Sequence, residues 1–468
     1  MNLSRQAPSP PQLPAGRMPF PPGWQGSTSD PEPWHPGIWH RLPAVQQPNW
    51  ASPGIAWVRE ALLSLPPLTT YDDVRALSRS LAAVQGGNAF VIQAGDCAEP
   101  FGSAAVDGAV AKHRLLGRMS TVVSERIGLP VVTVGRLAGQ FGKPRSEPTE
   151  LVGGRVLPSF HGLIVNGPSP TEAERHPYAP RLIDAYRTAQ RVYAELKRLA
   201  SGFGPGGSAE LPGWWEAPPP ALATMGTYGR THGNGLEWVH SGLWASHEAL
   251  VLDYEEPLTL RDPNTGEWFL TSTHLPWVGA RTNKPDGAHA MFLSGVANPL
   301  ACKVGPDVDP AQLLRLCERL DPDRVPGRLT LIARHGAALV RDRLPVLVEA
   351  VRAAGHPVIW MTDPMHGNTV KTASGLKTRY YEDILDEVRG FFAVMAELSQ
   401  WPGGVHLEVA ADDVTECVGG GGAGLAELPD RYRSLCDPRL NDVQAMALVS
   451  EIADLLLGAT ATLLAVNT

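Results

Sequence analysis

The sequence predicts an α/β protein built on a (β/α)8 TIM barrel. Two observations carry this expectation. Eight short apolar runs recur between residues 89 and 409, most of them separated by segments with helical periodicity. Polar residues with chemical potential also cluster at or just past the C-terminal ends of those runs, the end at which barrels of this kind place their active sites.

Taken in order, residues 1–55 carry many prolines and several tryptophans without sustained periodicity. They read as an N-terminal arm, disordered at its start, with Trp34, Trp39 and Trp50 expecting cover from the body or another subunit. The remainder, residues 56–468, reads as the catalytic barrel with N-terminal helices. Residues 55–65 and 71–84 are helix candidates, the second with Asp72 and Asp73 near its positive end. Strands are expected at 89–94, 131–136, 236–246 (the weakest signal), within 269–281, and at 301–305, 329–334, 358–363 and 404–409. Helices are expected at 106–127, 182–199, 311–320, 341–354, 381–398 and 441–457. The 182–199 stretch puts Leu182, Tyr186, Ala189, Tyr193 and Leu196 on one face. Residues 201–235, rich in Gly, Pro and Trp, read as loop.

Composition excludes several classes. Hydrophobic residues make up 43% and charged residues 19%, and the net charge is −8. That balance gives no footprint for nucleic acid or an anionic membrane surface. No apolar run approaches spanning length and the N-terminus lacks an apolar signal core, so a cytoplasmic protein is expected. Five scattered cysteines do not form a secreted disulfide framework.

Two groups of residues carry chemistry. Cys97 follows the first strand in Gly95-Asp96-Cys97, His366 follows the seventh, Glu408 ends the eighth, and Asp437 lies in the final loop. This mixed thiolate, imidazole and carboxylate set could hold Mn²⁺, Co²⁺, Fe²⁺ or Zn²⁺. Arg136, Arg281, Lys303 and Arg334 sit at strand ends two, four, five and six. Several cations at one barrel mouth repel each other unless an anion joins them, and guanidinium groups suit phosphate and carboxylate. A compact, multiply charged anion is the expected substrate. Each residue alone has an ordinary explanation: a buried thiol, a loop histidine on backbone, a helix-capping glutamate, a solvated basic loop at Lys143 and Arg145. Their shared location at the ends of apolar strands is what favours a site. The glycine run 419–422 lacks the strand–turn–helix setting of a nucleotide loop.

These stretches resemble the class II (plant-type) DAHP synthases. The matching pieces are Gln93-Ala94-Gly95-Asp96-Cys97-Ala98-Glu99, Arg136-Leu137-Ala138-Gly139-Gln140, Lys143-Pro144-Arg145-Ser146 and Ser246-His247-Glu248-Ala249-Leu250. They continue with Asp363-Pro364-Met365-His366-Gly367-Asn368, Val414-Thr415-Glu416-Cys417 and Cys436-Asp437-Pro438-Arg439-Leu440-Asn441. The resemblance runs from about residue 45 to near the C-terminus. It implies a (β/α)8 barrel with an N-terminal extension that condenses phosphoenolpyruvate with erythrose 4-phosphate, the first step of the shikimate pathway. It implies metal ligands at Cys97, His366, Glu408 and Asp437, with Mn²⁺ or Co²⁺ ahead of Zn²⁺ or Fe²⁺. Phosphoenolpyruvate contacts fall on Arg136, Arg281, Lys303 and Arg334. Lys143, Arg145 and Ser146 match the region that receives the aldose phosphate, and Glu248 joins the substrate-binding set. Lys303 and Glu408 are the candidates for handling protons, and a homodimer or higher homo-oligomer is expected.

Departures accompany the resemblance. Ala280-Arg281-Thr282 stands where the family usually has Glu-Arg-Thr, and His335-Gly336-Ala337 where it commonly has Met-Gly-Asn. The insertion after the second strand is shortened, at 201–235, where regulated members carry a helix pair. An amino-DAHP synthase using an imino sugar phosphate is therefore an alternative. A barrel metal hydrolase of phosphate esters and a non-catalytic scaffold are the other readings.

Overall fold

The computed structural model describes residues 33–50, 54–200 and 243–466, with side chains through residue 459. Met1–His35 separates as one unit, of which three residues are described, and Pro36–Thr468 forms the other, which holds the barrel. The start of the arm, the 201–235 segment and residues 236–242 of the weak strand signal lie outside the described residues.

Among the described residues, eight parallel strands close into a barrel: β1 (Phe90–Gly95), β2 (Val131–Arg136), β3 (Trp244–Glu248), β4 (Leu275–Val278), β5 (Leu300–Val304), β6 (Leu329–Ala333), β7 (Val358–Thr362) and β8 (Pro402–Glu408). Each pairs with its sequence neighbours, and β1 closes the ring on β8 with Gly95 opposite Glu408 and also opposite Arg136 on β2. Most strand positions are buried, as expected for strands covered on both sides. No described helix is long and apolar enough to cross a membrane.

The longer helices are α1 (Gly54–Leu63), α2 (Tyr71–Gln85), α3 (Ser103–Ile127), α4 (Arg181–Ala200), α5 (Ala288–Ser294), α6 (Pro310–Leu320), α7 (Val340–Ala353), α8 (Tyr381–Glu397) and α9 (Asp442–Val466); all but α5, which was not expected, fall at expected places, with α9 running past its expected end at 457. At α2, Thr70 and Asp73 form a reciprocal capping box. Leu77, Leu81 and Val84 of α2 join Val91, Val134, Leu275, Ala301, Ile332 and Met361 in one cluster, so this helix plugs the N-terminal end of the barrel. With that end closed, the C-terminal mouth is left for chemistry.

Three features differ from expectation. The third strand runs to Glu248, two residues past the expected end, which brings Glu248 onto the strand itself. Between β3 and β4, where no element was expected before residue 269, a four-residue helix, Leu252–Glu255, leads into the hairpin Thr259–Arg261 and Trp268–Leu270. The cause is the turn Asp262-Pro263-Asn264-Thr265-Gly266, where Asp262 Oδ2 accepts from the Asn264 and Thr265 amides and Gly266 takes a positive φ. A second hairpin, Thr149–Val152 with Arg155–Pro158, follows the basic loop after β2. The later part of the arm is ordered: a 3₁₀ turn covers Pro36–Arg41, the indole N–H of Trp39 donates to Glu256, and that of Trp50 donates to Asp253.

Candidate active site

The site begins with the backbone at the end of β1. A Cβ on Gly95 would lie 2.5 Å from the Arg136 carbonyl oxygen, so only glycine allows β1 and β2 to meet this closely above the barrel. Asp96, next in sequence, is nearly enclosed and ion-paired with Lys112 of α3 and with Arg439 at 2.7 Å. Burial alone would raise its carboxyl, but the two cations bring it below its ordinary value. This pairing ties the β1 loop to the final loop, which carries Asp437. Glu99 fixes the loop after β2: its two oxygens accept the consecutive amides of Ala138, Gly139 and Gln140 at 2.8–3.0 Å. Gln140 in turn accepts the Glu248 amide on β3 at 3.0 Å.

The ligand atoms of Cys97, Glu408 and Asp437 lie within 4.8 Å of one another, all buried. Cys97 Sγ accepts the Asp437 amide at 3.0 Å. His366 lies beside this trio, its Nε2 3.1 Å from Glu408 Oε1. Its Nδ1 is 2.7 Å from Asp363 Oδ2, and Asp363 Oδ1 accepts the Met365 and His366 amides. A carboxylate on Nδ1 orients the ring and leaves Nε2 to face the trio, the arrangement that metal-ligating histidines commonly show. The four expected ligands thus converge, three as one group and His366 against its edge.

The charge of the group calls for a cation. Lys143 Nζ lies 2.5 Å from Asp437, 3.4 Å from Cys97 and 3.6 Å from Glu408. Glu408 also pairs with Arg136 at 2.9 Å and Arg379 at 2.8 Å. Burial opposes its ionisation, but His366, Lys143, Arg379 and Arg136 hold its carboxyl well below the usual range. Asp437 is likewise held low, by Lys143, Arg379 and Lys377, against its burial and the nearby Glu408. Thiol, imidazole and two carboxylates in this setting fit a divalent ion. Burial pushes the Cys97 thiol well up, with Lys143 opposing, so loading an ion displaces the thiol proton. Metal affinity is therefore expected to rise with pH. Calorimetric titrations with Mn²⁺ in buffers of different ionisation enthalpy should show about one proton released per ion; release of none would leave the thiol out of the ligand set.

Beside the ligand group opens a cavity of about 360 Å³. Arg136, Lys143, Arg145, Ser146, Glu248, Arg281, Lys303, Arg334, His366 and Asp437 all line it, so the expected substrate residues meet in one place. Arg136 is packed over the Trp277 ring and bonded to the Asp96 carbonyl, His406 and Glu408. Lys303 pairs with Asp363; burial pushes the Lys303 ammonium down to about 7, with Asp363 pulling it back up. Arg334 donates to the His366 carbonyl at 3.3 Å. Arg281 is the most exposed of the four and holds Ser146 Oγ at 2.6 Å. Glu248 Oε1 is buried without a hydrogen-bond partner, and burial raises its carboxyl despite the surrounding cations.

Sequence reasoning missed Arg379, Lys377 and His406. Arg379 is fully buried and joins Glu408 to the Pro438 carbonyl beside Asp437. Lys377 holds the other oxygen of Asp437 at 2.7 Å. Both come from the loop between β7 and α8, where no strand end signals them; His406 lay in view on β8 but reads as a core residue. Of the two motif departures noted in the sequence, Ala280 lines the cavity, whereas His335 is buried outside the cavity lining, its amide donating to Glu387; the third, the 201–235 insertion, lies outside the described residues.

Residues 34–213 and 216–453 match the family model of the class-II DAHP synthetase family. The chain is 42% identical over 436 residues to the phospho-2-dehydro-3-deoxyheptonate aldolase of Streptomyces coelicolor, covering 89% of this chain and 96% of that protein. It is 44% identical over 407 residues to a probable phospho-2-dehydro-3-deoxyheptonate aldolase of Pseudomonas fluorescens, covering 87% and 94%. A third relative, from Mycolicibacterium smegmatis and of the same name, is 39% identical over 436 residues, covering 88% and 93%.

Proposed function

The chain belongs to the class-II DAHP synthetase family, and from that premise we propose how its barrel mouth divides the work. The reaction is the condensation of phosphoenolpyruvate with erythrose 4-phosphate to give DAHP and phosphate. The observation that carries the assignment of residues is the contact between a buried trio of one thiol and two carboxylates and a cation-lined cavity.

Cys97, His366, Glu408 and Asp437 hold a divalent ion, with Mn²⁺ or Co²⁺ favoured. When bound, the ion supplies Lewis-acid polarisation of an aldehyde oxygen. Arg136, Arg281, Lys303 and Arg334 bind the phosphate and carboxylate of phosphoenolpyruvate, and Lys143, Arg145 and Ser146 receive the aldose phosphate. These fixed cations meet charge without reorganising, so much of the acceleration is positioning and electrostatics. The reaction joins C3 of phosphoenolpyruvate to the aldehyde carbon, develops positive charge at C2, and ends with water at C2 and loss of phosphate by C–O cleavage. Lys303 handles a proton of that water, since an ammonium held near neutrality can both give and take one. Glu408 is the second candidate for handling protons; the cations that keep it ionised also make it a weak base, so its part is to accept hydrogen bonds rather than to hold the proton.

The test is turnover with phosphoenolpyruvate alone and then with erythrose 4-phosphate. Phosphate release that waits for the aldose, with DAHP formed in equal amount, supports the reading; release from phosphoenolpyruvate alone identifies a phosphate-ester hydrolase. Binding of metal without turnover on any aldose phosphate identifies a scaffold. A panel that includes an imino sugar phosphate addresses the second reading, which Ala280 favours by lining the cavity where the family usually carries Glu. Arg281→Ala and Arg334→Ala should each raise the KM for phosphoenolpyruvate and lower kcat, since a hydrogen bond to a charged group contributes about 1.5–3 kcal/mol. Unchanged kinetics would place that arginine outside the site.

A further inference from the structure

We infer that the N-terminal extension is part of the active-site machinery, with Gln46 as a positioning residue that holds the aldose-phosphate loop at 143–146. The inference rests on the assignment of that loop to the aldose phosphate.

The geometry is a two-point clamp. Gln46 Nε2 donates to the Arg145 carbonyl at 3.0 Å, and the Arg145 amide donates to Gln46 Oε1 at 2.8 Å. One side-chain amide thus satisfies both backbone groups of a single loop residue, as a neighbouring strand would. Arg145 lies between Pro144 and Ser146, and all three line the cavity. Ser146 Oγ is in turn the partner of the Arg281 guanidinium. A shift of this loop would therefore move groups assigned to both substrates, with the aldose phosphate the more directly affected.

The neighbouring Gln47 repeats the device on the next active-site loop. Its Nε2 donates to the Leu250 carbonyl at 2.7 Å, and the Leu252 amide donates to its Oε1 at 2.9 Å. Leu250 lies two residues past Glu248. Consecutive glutamines of the extension thereby set the spacing between the loops after β2 and β3. Gln46 sits at a φ of +62°, a left-handed conformation that a residue with a side chain adopts at some cost. The extension itself is anchored independently, through Trp39 on Glu256, Trp50 on Asp253 and the Pro43 carbonyl on the Ala288 amide. Gln46 therefore acts from a fixed base.

The left-handed φ suggests the variant. Gln46→Gly accepts that backbone without strain and removes only the clamp. Steady-state kinetics would be measured for Gln46→Gly, Gln46→Glu and Arg145→Ala, varying each substrate with the other saturating, beside thermal melts. For Gln46→Gly the KM for erythrose 4-phosphate is expected to rise about five- to thirtyfold, the range that one or two kcal/mol produces, with the Tm and the KM for phosphoenolpyruvate changing far less. Gln46→Glu can still accept from the Arg145 amide but cannot donate to its carbonyl, so it should recover part of the loss. Unchanged KM in Gln46→Gly, with a raised KM in Arg145→Ala, would overturn the clamp and leave the loop assignment standing. Unchanged KM in Arg145→Ala would overturn the loop assignment and the inference with it. A fall in Tm and kcat without a KM change would make Gln46 a structural residue only and equally overturn the inference.

Discussion

Cys97→Ser should lose tight metal binding and, at limiting metal, nearly all turnover. The thiol accepts the Asp437 amide at 3.0 Å and faces Lys143, in a position fixed by the close approach of Gly95 to Arg136. A serine hydroxyl can keep the hydrogen bond from Asp437, so the loop should survive. It cannot supply an anionic sulfur at neutral pH, and the ion keeps only imidazole and carboxylates. The loss of affinity should exceed the roughly 10–100-fold that removal of an outer-shell partner costs. Equilibrium titration with Mn²⁺ measures it, and with Co²⁺ the near-ultraviolet thiolate-to-metal absorption should disappear. Excess metal should recover part of the activity. Wild-type affinity together with unchanged absorption would remove Cys97 from the ligand set.

Arg379→Ala should be the most destabilising single change near the site. The side chain is fully buried and bridges Glu408 at 2.8 Å, Thr369 at 2.9 Å and the Pro438 carbonyl. Removing it leaves a buried carboxylate oxygen and a buried carbonyl without their partner, and breaking a buried pair in this way costs about 3–5 kcal/mol. The pair as a whole need not stabilise the fold relative to an apolar substitute; the cost is that of the group left behind. Urea unfolding of the metal-free protein measures the effect, with a lowered midpoint and an unchanged slope expected. Arg379→Lys keeps the charge but cannot span all three contacts, so it should fall between. An unchanged midpoint in Arg379→Ala would mean that Glu408 is neutral or hydrated and not held by this arginine.

The barrel was legible because its strands are buried on both faces and read as short apolar runs, and because β1, β2, β5, β6, β7 and β8 end in residues that break the run with charge or turn chemistry. The same punctuation placed Cys97, Arg136, Lys303, Arg334, His366 and Glu408 at one end. What stayed hidden depends on tertiary approach. Arg379 lies in a loop with no periodicity, and its importance arises only once Glu408 arrives from β8. Gln46 and Gln47 are unremarkable polar residues in a Pro-rich stretch; their partners are about 100 and 203–205 residues away. The hairpin between β3 and β4 was visible in principle, since Asp262-Pro263-Asn264-Thr265-Gly266 is a strong turn signal between short apolar stretches.

The most direct test of the site assignment is a crystal structure of the protein soaked with Mn²⁺, with anomalous scattering used to locate the ion. That assignment requires one ion in contact with Cys97 Sγ, His366 Nε2 and the carboxylates of Glu408 and Asp437, with Lys143 withdrawn from the three groups it now bridges. An ion bound elsewhere, or one that leaves Lys143 seated between Cys97 and Asp437, would contradict it.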